Sequence, residues 1–144
     1  MMNRIEEEKC TIFEESNVEL RLQSRDKNTF EAQQPDKDIS DERCDVFVKC
    51  TSPIKLEDLS NIKEIFVELK ATIKKKAVNQ LRKSIIALSR VNSAERIAYI
   101  VYLNEFKNNY PNAQTQMQIA KYKFSKDTQK TKLIERKTPL IITI

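Results

Sequence analysis

The sequence predicts an α/β (α+β) domain with a central mixed β-sheet flanked by helices, and three features of its second half carry that prediction. Ile62 to Lys70 alternates, placing Ile65, Val67 and Leu69 on one strand face and Phe66, Glu68 and Lys70 on the other. From Ile73 to about Arg90, Ala77, Leu81, Ile85 and Leu88 recur at helical spacing, with Thr72 placed to cap the helix. Arg96 to Leu103 is then a nearly continuous apolar run, as in a strand buried on both faces. Strand, helix, strand in that order implies a right-handed crossover between two parallel strands.

The remaining elements follow along the chain. Asn3 to Lys9 is polar, either a helical turn or a chain end. Val18 to Gln23 alternates, Ser24 to Asn28 is turn-like, and Thr29 to Gln33 resumes the alternation, which together predict a hairpin. Gln34 to Glu42 is a polar loop containing Pro35, and Cys44 to Cys50 is a compact strand. Thr51 to Asn61, interrupted by Pro53, is expected to be a connecting loop. Beyond Pro111, Ala113, Met117, Ala120 and Phe124 mark an amphipathic helix with Lys121, Lys123 and Lys126 on its wet side. Lys132 to Arg136 and Leu140 to Ile144 form one interrupted strand or two short ones, and Pro139 points to an edge position. The whole reads as a single domain over 1–144, with an N-terminal hairpin region at 1–42 and a core from about 43 to 144.

Composition narrows the chemistry. The 144 residues include no glycine, no histidine and no tryptophan. Glycine-rich phosphate loops need conformations that a Cβ forbids, so P-loop and Rossmann chemistry are excluded. Without histidine there is no imidazole base and no histidine metal ligand. Carboxylates, lysines and oxygen-held metal ions remain. The net charge of +5 hides an asymmetry: residues 1–45 carry 7 Lys and Arg against 13 Asp and Glu, and the remainder carries 19 against 8. A basic remainder of +11 fits a surface that faces a polyanion, or a lysine-rich solvated surface. Cys10, Cys44 and Cys50 are odd in number and lack the spacing of a zinc site, so they are expected to be reduced thiols. No 18-residue apolar run and no signal-peptide pattern appear, so the expectation is a cytoplasmic protein without a membrane partner.

The informative stretch is Glu68-Leu69-Lys70. Residues two apart on a strand share a face, so a carboxylate and an ammonium lie side by side in a strand expected to be central, where charge is expensive. Asp45 opens the preceding strand. Two carboxylates at neighbouring strand ends can hold a divalent cation while the lysine stabilises a developing anion or positions a water. Gln80, ten residues after Lys70, lies on a polar helical stripe with Lys76 and Lys83, where it could fix the lysine or a water.

The order Asp45, Glu68-x-Lys70 and a helix bearing Ala77-x-x-Gln80-Leu81 resembles the PD-(D/E)XK nuclease superfamily, which includes restriction endonucleases and Holliday junction resolvases. The resemblance spans roughly Arg43 to Leu103 and implies a restriction-endonuclease-like core. It implies that Asp45 and Glu68 ligate Mg²⁺ (or Mn²⁺) together with the main-chain carbonyl of Leu69. It further implies that Lys70 orients the attacking water and stabilises phosphorane charge, and that Gln80 supports the site. The chain departs from the pattern at Cys44, where the name-giving proline often stands, and at Ala71, where glycine is common. Glu14, Glu15 and the run Glu6 to Glu8 compete for the family's additional N-terminal glutamate.

Lys74, Lys75 and Lys76 open the helix beside the Glu68–Lys70 strand end, and Arg82 and Lys83 lie further along it. Lysines at a helix N-terminus oppose the macrodipole, so phosphate contact accounts for them better than helix stability does. The leading expectation is therefore a metal-dependent nuclease acting on DNA, with RNA not excluded. The alternative is a nuclease-fold domain that binds nucleic acid or a partner protein without cutting. The small size leaves little room for a target-recognition region, which points to a homodimer or larger assembly.

Overall fold

The computed structural model describes residues 10–24, 29–35, 43–105 and 112–144. Asn3 to Lys9 and most of the 24–28 and 34–42 stretches lie outside the described residues. Among the described residues, eight strands and two helices run in the order β1 (Cys10–Glu15), β2 (Val18–Gln23), β3 (Phe30–Gln33), β4 (Val46–Leu56), β5 (Leu59–Thr72), α1 (Lys75–Leu88), a 3₁₀ turn (Ser93–Glu95), β6 (Arg96–Asn104), α2 (Ala113–Asp127), β7 (Lys132–Lys137) and β8 (Leu140–Thr143). They form a five-stranded mixed sheet, β3-β4-β5-β6-β7, and a three-stranded sheet, β1-β2-β8. The protein is therefore α+β.

Alternation along β5 and β6 divides the core in two. Ile65, Val67, Leu69, Tyr99 and Val101 pack with Val18, Leu20, Leu22 and Ile142 of the smaller sheet. Phe66, Ala98 and Ile100 pack on the other side with Ala77, Leu81 and Ile85 of α1 and with Met117, Ala120 and Phe124 of α2. The large sheet is thus the middle of three layers, which is why β6 reads as a continuous apolar run. On the helix side Phe47 and Phe66 stack with centroids 4.5 Å apart. The β5–β6 and β6–β7 pairs are parallel, while β3–β4 and β4–β5 are antiparallel.

Three expectations are corrected. The N-terminal hairpin joins β1 to β2 through Ser16 and Asn17, not Val18–Gln23 to Thr29–Gln33; β2 and β3 belong to different sheets. Thr51 to Asn61 is not a loop: β4 and β5 continue through it as a two-stranded arm closed at Glu57 and Asp58. Pro53 is accommodated because the ladder is irregular between Lys49 and Ile54. The residue before the first helical turn is Lys74, with no side-chain capping bond, and Thr72 ends β5. Both tight hairpins place two consecutive residues at positive φ, at Ser16–Asn17 and Glu57–Asp58. Such turns match the sheet twist and are normally supplied by glycine, which this chain lacks.

Candidate active site

The C-terminal end of β5 is where the sheet changes from antiparallel pairing with β4 to parallel pairing with β6. Crevices outside strand ends at such a switch are where α/β sheets tend to hold ligands. Val46 pairs with Val67, so Asp45, one residue earlier, falls opposite Glu68 across the β4–β5 ladder.

Each acid accepts from a backbone amide on the other's side of the β4–β5 pair. The amide of Asp45 donates to Oε1 of Glu68 at 3.0 Å, and the amide of Leu69 donates to Oδ2 of Asp45 at 2.7 Å. Glu68 is fully buried and Asp45 is 5% exposed. The ammonium of Lys70 lies 3.5 Å from Oε2 of Glu68, in an ion pair whose lysine side is 30% exposed. Asp45, Glu68 and Lys70 therefore meet at one strand end. Burying carboxylates is costly unless they are bonded and charge-compensated, and here backbone amides and a lysine do both.

Helix α1 locks this arrangement from the side. Ser84, fully buried, accepts a 2.6 Å hydrogen bond from the amide of Cys44, the residue preceding Asp45. The Cys44 thiol is also fully buried and donates to the Val46 carbonyl at 3.4 Å. Burial pushes this thiol up to about 12; the Ser84 hydrogen bond works against the rise, and the charges of Glu68 and Asp45 add to it. Gln80, one turn before Ser84, is buried on the same helix. Ser84 was not singled out by the sequence reading. Its signal is a small polar residue inside the apolar stripe of Ala77, Leu81 and Ile85.

The site opens to solvent through a cavity of about 440 Å³ lined by Glu14, Glu15, Gln34, Pro35, Asp45 and Leu69. Two of the glutamates that compete for the family's N-terminal acid, Glu14 and Glu15, thus sit on its wall, contributed by β1 and not by a helix. Lys74, Lys75 and Lys76 are exposed where the chain leaves β5 for α1, and Lys83 is half-buried. Arg82 is directed at the other helix, with Nη1 3.1 Å from Oδ2 of Asp127. Among the described residues no group of three or more Cys, Asp or Glu side chains is arranged to hold a metal ion. The possible oxygen donors at the strand end are the two carboxylates and the Leu69 carbonyl.

No protein-family model matches the chain, and no curated protein and no solved structure matches it. Among the described residues no helix is long and apolar enough to cross a membrane.

A second buried polar cluster sits at the opposite end of β5 and β6. Glu64 accepts from the Ser89 hydroxyl at 2.6 Å and from the Arg90 amide at 3.1 Å. Arg96 donates to Ser89, to the carbonyls of Val91 and Thr128 and to Thr131. The ends of both helices are thereby fastened to the sheet, leaving the candidate site at the other pole.

Proposed function

We propose that this chain is a metal-dependent phosphodiesterase that hydrolyses DNA backbone phosphates. The observation that carries the reading is the meeting of Asp45, Glu68 and Lys70 at the end of β5, with both carboxylates fixed by backbone amides. Asp45, Glu68 and the Leu69 carbonyl would hold Mg²⁺ or Mn²⁺, which supplies Lewis acidity and a more acidic water. Lys70, the most exposed of the three side chains, would orient the attacking water and stabilise charge on the phosphorane oxygens. Gln80 and Ser84 would keep α1 in register with the acids. The exposed Lys74, Lys75 and Lys76 would contact phosphates without reading sequence, so affinity would fall steeply with salt.

The test incubates purified protein with linear, nicked, branched and single-stranded DNA, and with RNA, in Mg²⁺ or Mn²⁺. Cleavage is expected from the wild type and is expected to disappear in Glu68→Gln and in Lys70→Met, which leaves no ammonium to stabilise the phosphorane charge. Cleavage that persists in Glu68→Gln removes the site assignment. Calorimetric titration with Mn²⁺ should give heat with the wild type and none with Asp45→Asn.

One observation favours a second reading, a nuclease-fold domain that binds nucleic acid or a partner protein without cutting. The ammonium of Lys70 already compensates Glu68, and no three-ligand group is present among the described residues. A salt-dependent shift of DNA with neither Mn²⁺ heat nor cleavage selects that reading.

A further inference from the structure

Strand β7 is the last strand of the large sheet, and no strand pairs with its outer edge among the described residues. The ladder identifies which backbone groups face outward there. Tyr102 pairs with Lys137, and the amide of Thr138 donates to the Tyr102 carbonyl at 2.7 Å. In a parallel ladder a residue bonds the two neighbours of its partner, so Lys132, Ile134 and Arg136 turn their amides and carbonyls to β6. Leu133, Glu135 and Lys137 turn theirs outward.

That edge borders a groove of about 670 Å³ between β7 and α2, lined among others by Phe124, Ser125 and Leu133. The side chains that would blunt the edge are drawn off it. Glu135 pairs with Lys121 on α2 at 2.8 Å, and Arg136 pairs with Glu57 of the β4–β5 arm at 2.6 Å. Both carboxylates of the groove are thus compensated internally. Lys132, whose ammonium donates to the neutral Glu57 carbonyl at 3.2 Å and so keeps its charge unbalanced there, lies along the groove as a further cation, and the exposed Lys130 and Lys137 flank it. Positive charge is in excess over the whole length of the edge.

We propose that β7 is a docking edge for an extended acidic peptide segment, which adds as a sixth strand and presents its carboxylates to Lys130, Lys132 and Lys137. Alternating outward donors and acceptors are the pattern that a peptide backbone completes. A DNA backbone offers acceptors only, and would leave the outward carbonyls unmatched. This inference is independent of the nuclease reading and concerns a different edge of the sheet.

The probe is a fluorescent peptide of alternating Glu and Val, about eight residues long to span the strand. Saturable binding is expected, and the amides of Leu133, Glu135 and Lys137 should become about tenfold slower to exchange with deuterium as they gain partners. The amides of Ile134 and Arg136, bonded to β6, should not change. Glu135→Pro removes one outward amide at an edge position where proline is tolerated, and should weaken binding about tenfold, the cost of one unmade hydrogen bond. Lys132→Glu with Lys137→Glu should do the same without touching the backbone, and a peptide with Lys in place of Glu should bind less tightly.

Equal binding of the Lys peptide overturns the proposal, as does unchanged exchange at the three amides on saturation with the Glu peptide. Displacement of the peptide by duplex DNA with the same three amides involved would make the edge a nucleic-acid surface. Concentration-dependent protection of those amides without peptide would make it a contact between copies of this chain. Either result also overturns it. Should Glu135→Pro fail to fold, the exchange pattern of the wild type decides.

Discussion

Replacing Lys70 by methionine removes a cation paired with a fully buried glutamate in the site, and the size of the effect separates a working constellation from an incidental ion pair. At 3.5 Å the Coulomb attraction is about 5 kcal/mol for an effective dielectric of about 20, and about 1 kcal/mol in water. Glu68 has no exposure and Lys70 is 30% exposed, so the pair lies between these limits. A coupling of about 2–3 kcal/mol is expected, within the range for groups in direct contact. Lys70→Met alone should cost about 3 kcal/mol, because it takes the paired ammonium away from a buried carboxylate. Adding Glu68→Gln to that variant should recover much of the loss, since a neutral amide oxygen can still accept from the Asp45 amide. The assay is urea unfolding of the wild type, both single variants and the double variant at pH 8, with the coupling taken from the cycle. A coupling below about 0.5 kcal/mol is the value of an exposed pair and would refute the claim that Lys70 compensates a buried acid.

Three further outcomes follow from the same structure. Ser84→Ala leaves the Cys44 amide buried without its acceptor and should cost about 1–3 kcal/mol in unfolding, with Ser84→Thr recovering part of it. The Cys44 thiol, at about 12 when folded against a usual 9, stays protonated in the fold while the unfolded chain ionises. Its stabilising effect is complete below pH 9 and declines as pH rises towards 12, at up to about 1.4 kcal/mol per unit; Cys44→Ala should flatten that part of the stability–pH profile. Asp58 holds φ 68° in the turn of the β4–β5 arm, so Asp58→Gly should raise stability by roughly 0.5–1 kcal/mol, and a lowered melting temperature would contradict the turn assignment.

The sequence made the second half of the fold legible because its periodicities are clean. Ile65, Val67 and Leu69 fall on the side of the smaller sheet, and Ala77, Leu81, Ile85, Met117 and Phe124 all turn inward. The first half was harder for identifiable reasons. Cys10–Glu15 is an exposed edge strand with little apolar signal, and its turn at Ser16–Asn17 carries no glycine to announce it. Pairing neighbouring segments is a sound default, but here β2 and β3 belong to different sheets. Pro53 made an irregular strand resemble a loop. At the site, the spacing of Glu68 and Lys70 guaranteed a shared face, and Asp45 could be placed at a strand end. The reciprocal amide bonds and the role of Ser84 depend on ladder register and helix docking, which no local pattern encodes.

The smaller sheet joins segments far apart in the sequence, since β2 pairs in parallel with β8 and the amide of Ile144 donates to the Gln23 carbonyl. Emerging from a ribosome, the β1–β2 hairpin therefore has to wait for Leu140 to Ile144 before its sheet can close. The large sheet and both helices can assemble earlier, together with Asp45, Glu68 and Lys70. Glu14 and Glu15 ride on that late hairpin, so the cavity wall in front of the acids is completed last. Removal of Leu140 to Ile144 should leave the strand-end acids in place while loosening the hairpin that carries their wall, which makes this segment a determinant of access to the buried centre.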